Sequence, residues 1–332
     1  MTQIFYSFTH TLIAGVPFTL LDDRRSSYGR MKKIHMSDLI STTSKKIGVA
    51  GVGLLGSAAA QRLVQSGWSV SGFDLKEFRV DGVKVMASFE ELIRRSDVIL
   101  FCLPNSGISL QLVLECLESF RPGQIILDAT TGKPQQMERI STHFSNAKVH
   151  YMEANVAGSS DMMRRGDASM FFAGDATIFE SLQPLIEKLT CKPFFLGPVG
   201  AASRFKLVHN MIMGLHRLVL AEGLAFAEVL GIDPSNALEV LKQTPAASEV
   251  MTTKGERMVR KQFDPPQARL SQHLKDVRIM LEEAEKLGLE VPLTSLHADL
   301  LGQAEQLGLG QMDNSSVAAL YRTYNQQEGD HG

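Results

Sequence analysis

The hexapeptide Gly51-Val52-Gly53-Leu54-Leu55-Gly56 constrains this chain more than any other feature. It follows the apolar run Ile47-Gly48-Val49-Ala50, which suits a buried parallel strand. It opens a stretch, 54–66, with apolar and small residues at helical spacing, and Gly67 can end that helix. Residues 69–73 read as the next strand, which finishes at Asp74, 23 positions after Gly51. Strand, G-x-G-x-x-G turn, helix, strand and terminal acid together make a dinucleotide-binding βαβ pattern. Gly51 permits the tight turn, Gly53 lets the backbone approach a pyrophosphate, and Gly56 lets helix and strand pack closely. The helix start presents free N–H groups to phosphate. A carboxylate at Asp74 accepts hydrogen bonds from the adenosine ribose hydroxyls and repels a 2′-phosphate. The expected cofactor is therefore NAD, with NADP as the alternative because Lys76 and Arg79 follow closely.

The alternation continues beyond this unit. Strands are expected at 84–86, 97–103, 124–128 and 148–154, and helices at 88–95, 110–119 and 134–144. Residues 170–173 and 193–196 are candidate last strands. Such alternation predicts a doubly wound, mostly parallel sheet of the Rossmann type. After Gly200 it stops. Residues 202–230 are apolar nearly all round and end at Gly231-Ile232-Asp233-Pro234. A helix of about 30 residues spans about 45 Å, and this one is expected to be buried on several sides. Further helices are expected at 235–243, 272–287 and 294–307. The predicted architecture is an α/β Rossmann domain at 45–198 and an all-α domain at 199–330, joined by the long helix.

Composition excludes several classes. Formal net charge is −2 and no basic stripe with interleaved aromatics occurs, so nucleic acid is not an expected partner. The apolar stretch 4–21 is broken by His10 and Pro17 and lacks a basic leader, so neither a signal peptide nor a membrane span is expected. Residues 1–44 read as a flexible tail or as the product of an upstream start, with Met31 or Met36 the true one. Arg24, Arg25 and Arg30 hint at organellar import, and Asp22 and Asp23 argue against it. The three cysteines form no CxxC pair, which points to reduced thiols and a cytoplasmic setting. No His, Asp or Glu cluster has metal spacing, so no metal is expected.

Several further motifs accompany the glycine loop: Cys102-Leu103-Pro104-Asn105, Asp128-Ala129-Thr130-Thr131-Gly132-Lys133-Pro134, Glu153-Ala154-Asn155-Val156-Ala157-Gly158-Ser159, Lys206-Leu207-Val208-His209-Asn210 and Leu274-Lys275-Asp276-Val277. Together they resemble the β-hydroxyacid dehydrogenases, the group containing 3-hydroxyisobutyrate dehydrogenase and tartronate semialdehyde reductase. The resemblance runs from about Lys46 to Arg322. It implies hydride transfer between a nicotinamide cofactor and a small β-hydroxyacid or its semialdehyde. The spacing of Lys206 and Asn210 puts both on one helix face. The resemblance makes Lys206 the general acid/base and Asn210 a substrate-positioning group. It assigns Leu103, Pro104, Thr131 and Lys275 to the cofactor site, beside Gly51, Val52, Gly53, Leu54, Leu55, Gly56 and Asp74. Thr131, Ala157, Gly158 and Ser159 would hold a small carboxylate substrate.

One loop departs from the family's usual Asp-Ala-Pro-Val-Ser-Gly-Gly. Ala157 stands where the serine hydroxyl would be, and Ser159 or Ser160 is the candidate replacement donor. A hydrogen bond to a charged group contributes about 1.5–3 kcal/mol, enough to change substrate preference without abolishing the reaction. Arg164 and Arg165 lie just downstream and offer charge, although solvated arginines are commoner. Two other readings stand beside the dehydrogenase: an imine or other carbonyl reductase on the same scaffold, and a non-catalytic dinucleotide-binding regulator. Lys206 counts against both. The apolar long helix adds an expected homodimer or homotetramer.

Overall fold

The computed structural model describes residues 46–321, so the expectations for residues 1–44 and for 322–330 lie outside the described residues. Eight strands form one sheet in the order β3-β2-β1-β4-β5-β6-β7-β8. They are β1 (Lys46–Ala50), β2 (Ser69–Phe73), β3 (Val83–Val85), β4 (Val98–Phe101), β5 (Ile125–Asp128), β6 (His150–Ala157), β7 (Ser169–Ala173) and β8 (Lys192–Phe195). Every neighbouring pair is parallel except β6 and β7. The central strands read as continuous apolar runs because both faces are covered. Ile47, Val49, Val98, Leu100, Ile125 and Leu127 enter one core. Their alternates Ile99, Phe101 and Ile126 enter the opposite core. Helices α1 (Leu54–Gln65), α5 (Ser160–Arg165), α6 (Ala176–Ser181) and α7 (Gln183–Leu189) close the first face. Helices α2 (Phe89–Arg95), α3 (Ser106–Cys116) and α4 (Pro134–Asn146) close the second.

Some boundaries differ from the sequence expectations. Helix α3 starts at Ser106, four residues before the expected start, because the Asn105 side chain caps it by accepting the Ile108 N–H at 3.0 Å. Strand β6 runs on to Ala157 because β7 pairs antiparallel to it through Ala157 and Ser169. The segment expected as a substrate loop is therefore strand until its last two residues. Helices α5 to α7, of six or seven residues each, were not anticipated.

The second half is helical: α8 (Ala201–Val229), α9 (Pro234–Leu241), α10 (Glu256–Val259), α11 (Leu270–Lys286) and α12 (Pro292–Gln306). A single π-helical turn, Met251–Gly255, leads into α10. Leu207, Leu218 and Leu224 of α8 meet Leu274, Val277 and Met280 of α11 and Leu301 of α12 in a third core. The expectation that α8 is buried on several sides fails within one chain. Phe205, Ile212, Val219 and Phe226 are each at least 44% exposed. They lie seven residues apart and so form one stripe, on the side that α11 and α12 do not reach. Among the described residues no helix is long and apolar enough to cross a membrane.

Candidate active site

The glycine loop sits at the C-terminal end of β1, where doubly wound sheets bind ligands. Gly51 has φ +87°, and a Cβ there would lie 2.4 Å from the Cys102 carbonyl oxygen. A Cβ on Gly56 would lie 1.9 Å from the Gly51 carbonyl oxygen, so only glycine lets α1 pack this closely. A Cβ on Gly53 would meet nothing within 4 Å, so the loop is open on that side. Helix α1 begins after Gly53 with no side-chain cap and no acid in its first turn. Its free N–H groups and the space at Gly53 fit a pyrophosphate. Asp74, at the end of β2, reaches back to this loop. Its Oδ2 accepts the Val52 N–H at 2.7 Å, and its Oδ1 accepts the Lys76 N–H at 2.9 Å. The carboxylate is held beside the glycine turn, in the position a ribose-binding acid requires. These features fit a dinucleotide.

The loop after β5 is built on a buried acid. Asp128 Oδ1 accepts the Thr130 N–H at 2.9 Å, and Oδ2 accepts the Tyr151 hydroxyl at 3.0 Å. Burial pushes the Asp128 carboxyl up to about 6, and hydrogen bonds from Thr130 and Tyr151 oppose that rise. Burial also holds the Tyr151 phenol well above its ordinary range, with the Asp128 charge adding to the effect. Thr130 Oγ1 accepts the Leu103 N–H at 3.1 Å, which ties this loop to the one after β4. Thr130 itself is buried, and Thr131 is half-buried at the loop's open side. From the helical half, Lys275 on α11 donates to the Thr131 carbonyl at 2.7 Å and the Pro104 carbonyl at 3.3 Å. Gln272, one turn earlier, donates to the same Pro104 carbonyl at 2.9 Å. The structure thus brings Leu103, Pro104, Thr131 and Lys275 together.

Lys206 lies in the second turn of α8 and is buried. Its Nζ donates to the Val156 carbonyl of β6 at 2.6 Å. Burial pulls the ammonium down to about 8; the Asp276 carboxylate opposes this and the Lys275 charge reinforces it. Asn210, one turn on, donates to Asp276 Oδ2 at 2.9 Å. Asp276 also pairs with Lys275 at 2.8 Å. Buried Lys206 and Asp276 and half-buried Asn210 and Lys275 therefore share the α8–α11 contact. His209 Nδ1 lies 3.2 Å from Asn210 Oδ1, and its ring meets Phe171 edge to face. Burial, helped by the Lys206 charge, takes His209 down to about 4, so it is a neutral packing group at physiological pH. A buried lysine poised near neutrality, beside a fixed amide, can take up and release a substrate proton.

Ala157 is the buried last residue of β6, and Gly158 follows it exposed, with φ +156°. Ser159 caps α5 by accepting the Met162 N–H at 3.2 Å. The Ser160 hydroxyl faces the Gln267 carbonyl at 3.5 Å. Arg164 binds Asp161 and Gln61, and Arg165 binds Asp167 at 2.9 Å. Two groups were not singled out from the sequence. Asp276 holds the Asn210 amide, and Glu153 caps the start of α8. The sequence signal for Glu153 is a carboxylate within a central strand, with an uncapped glycine 47 residues later at the start of a helix. Among the described residues no group of three metal-binding side chains occurs.

Comparison with known proteins bears on both halves. Residues 46–197 match the model of the NAD-binding domain of 6-phosphogluconate dehydrogenase. Residues 200–321 match the NAD-binding model of NADP-dependent 3-hydroxyisobutyrate dehydrogenase. The chain is 26% identical over 288 residues to the 2-(hydroxymethyl)glutarate dehydrogenase of Eubacterium barkeri, covering 84% of this chain and 95% of that protein. It is 26% identical over 317 residues to the cytokine-like nuclear factor N-PAC of Anopheles gambiae, covering 93% of this chain and 56% of that one. The chain thus spans about half the length of the N-PAC relatives it matches. A crystal structure of 3-hydroxyisobutyrate dehydrogenase from Salmonella typhimurium shares the fold. Its TM-score is 0.76 at 21% identity, with 83% of this chain and 99% of that one covered.

Proposed function

The chain belongs to the β-hydroxyacid dehydrogenase family of NAD(P)-binding oxidoreductases, and on that premise we propose that it interconverts a small β-hydroxyacid and the corresponding semialdehyde, with Lys206 as general acid/base. One observation carries the reading: Lys206 is a buried amine brought down to about 8, bonded to the Val156 carbonyl and close enough to Asp276 to feel its charge. A nicotinamide bound there would supply the hydride acceptor, or the hydride donor in the reverse direction, for the carbinol carbon. In the oxidising direction neutral Lys206 takes the hydroxyl proton. In the reducing direction its ammonium gives that proton back to the forming alkoxide. Asp276 fixes the Asn210 amide and leaves its second hydrogen for substrate. Leu103, Pro104, Thr131 and Lys275 border the cofactor, and Gly51 to Gly56 with Asp74 hold its pyrophosphate and ribose. Gly158 and Ser159 supply donors for the substrate carboxylate. Because Ala157 lacks a hydroxyl, the preferred substrate differs from that of relatives with serine there.

A buried lysine at position 206 counts against the imine or carbonyl reductase and the silent dinucleotide-binding regulator. The exposed stripe on α8 supports assembly into a homodimer or homotetramer. The decisive experiment is a spectrophotometric screen of NAD and NADP against 3-hydroxyisobutyrate, glycerate, threonate, 3-hydroxypropionate and serine, followed by Lys206→Ala. Loss of general acid/base catalysis costs about 10²–10⁴-fold in turnover, while cofactor binding is retained. A Lys206→Ala enzyme with near-normal turnover overturns the proposal.

A further inference from the structure

We infer that Glu153 is a positioning residue: its carboxylate caps α8 and so sets Lys206 against the strand that carries the substrate segment. The inference rests on the catalytic reading of Lys206. Helix α8 begins after Gly200, which has no side chain with which to cap it. The first N–H groups of a helix need acceptors, and a buried helix start without them is costly. Glu153, wholly buried in β6, supplies both carboxylate oxygens. Oε2 accepts the Gly200 N–H at 2.6 Å, and Oε1 accepts the Ser203 N–H at 3.1 Å together with the Ser203 hydroxyl. A carboxylate at this end also complements the dipole of the 29-residue helix.

The geometry closes a frame. Three residues beyond Glu153 on β6, the Val156 carbonyl accepts Lys206 Nζ. Three residues beyond Ser203 on α8 is Lys206 itself. Two links, in both of which the α8 end donates and β6 accepts, therefore join the same strand segment to the same helical turn, and sliding α8 along β6 breaks both. Glu153 belongs to a polar series on one face of β6, a central strand that both faces of the sheet would ordinarily make apolar. Tyr151 binds Asp128, Glu153 binds α8, and Asn155 Nδ2 donates to the Thr130 carbonyl at 2.9 Å. Each alternate residue spends its hydrogen bond on a segment bearing a candidate site group. Strand β6 thereby registers the Thr130–Thr131 loop and the Lys206 turn against each other, and Glu153 fixes the second of these.

The test reads Lys206 directly and does not depend on turnover. Trace acylation with acetic anhydride at pH 8, quantified by mass spectrometry, reports the accessibility of each lysine in the full-length protein. Lys254 is the internal control, because it is equally buried and is held by Asp313 and Gln267 rather than by β6. In Glu153→Gln, labelling of Lys206 should rise at least tenfold with Lys254 unchanged. Glu153→Asp, which retains both oxygens, should recover most of the protection. In the same variants kcat should fall at least tenfold for Gln and less for Asp, with the NADH dissociation constant within twofold of wild type. Unchanged Lys206 labelling in Glu153→Gln overturns the inference. So does a parallel rise at Lys206 and Lys254, because that is general loosening. If Lys206→Ala keeps its turnover while Glu153→Gln still exposes Lys206, the catalytic reading fails and the positioning geometry survives.

Discussion

Replacing Lys206 with methionine should stabilise the protein at neutral pH while disabling it. The argument is one of linkage. Each pKa unit corresponds to about 1.4 kcal/mol, so taking this lysine from its ordinary 10.5 to about 8 costs the fold about 3 kcal/mol at neutral pH. The sign follows from which state binds the proton better. Below pH 8 the lysine is charged in both states and the folded protein bears the full cost. Between 8 and 10.5 the folded lysine is neutral while the unfolded one is still charged, and the cost fades to nothing. Methionine has similar length and removes that cost, but it leaves the Val156 carbonyl without its donor. An unsatisfied buried acceptor costs about 1–3 kcal/mol at any pH. The net expectation is a gain of about 1 kcal/mol at pH 7 and a loss of about 1 kcal/mol at pH 10. Thermal denaturation of wild type and Lys206→Met at both pH values measures this. The midpoint should shift upward by a few degrees at pH 7 and downward at pH 10. Turnover should be about 10²–10⁴-fold lower at both. A variant less stable than wild type at pH 7, or a difference that does not vary with pH, would refute the claim that burial loads this lysine.

Further expectations follow from the same geometry. In the oxidising direction kcat/KM should rise with pH along a limb centred near 8, the value set by burial of Lys206, and a flat profile from pH 6 to 9 would remove that lysine from the proton path. Asp74→Ser should lower the NAD/NADP preference ratio measured as kcat/KM, since the carboxylate that disfavours a 2′-phosphate is gone; an unchanged ratio excludes Asp74 from recognition. Gly56→Ala places a Cβ 1.9 Å from the Gly51 carbonyl oxygen, and should abolish NADH fluorescence enhancement with a smaller effect on secondary structure by circular dichroism. Ile212→Asp on the exposed stripe should lower the mass found by light scattering without changing the fold; an unchanged mass places any assembly contact elsewhere.

How much of this was legible in the chain depended on the range of the interaction. The glycine unit was legible because turn, helix start and acid lie within 24 consecutive residues, each with a local physical reason. The pairing of Lys206 with Asn210 was legible because helical spacing alone places them together. Asp276, 66 residues from Asn210 and on another helix, and Glu153, 47 from Gly200 and on a strand, were not, since no local period connects one element to another. Helices α5 to α7 were missed because fewer than two turns give too little periodicity to read. The burial of α8 was overread for a different reason. An apolar stripe specifies that something covers it, and periodicity does not say whether the cover is the same chain.

The continuity of α8 has a mechanical consequence. This one unbroken helix starts on the Glu153 carboxylate of the sheet and ends as a pillar of the helical half, about 43 Å away at 1.5 Å per residue. It behaves as a lever with its fulcrum at Gly200. A tilt of about 5° about that end carries the far tip through nearly 4 Å but moves Lys206, about 9 Å from the fulcrum, by less than 1 Å. Lys206, on the short arm, is therefore displaced far less than the far tip by any such tilt.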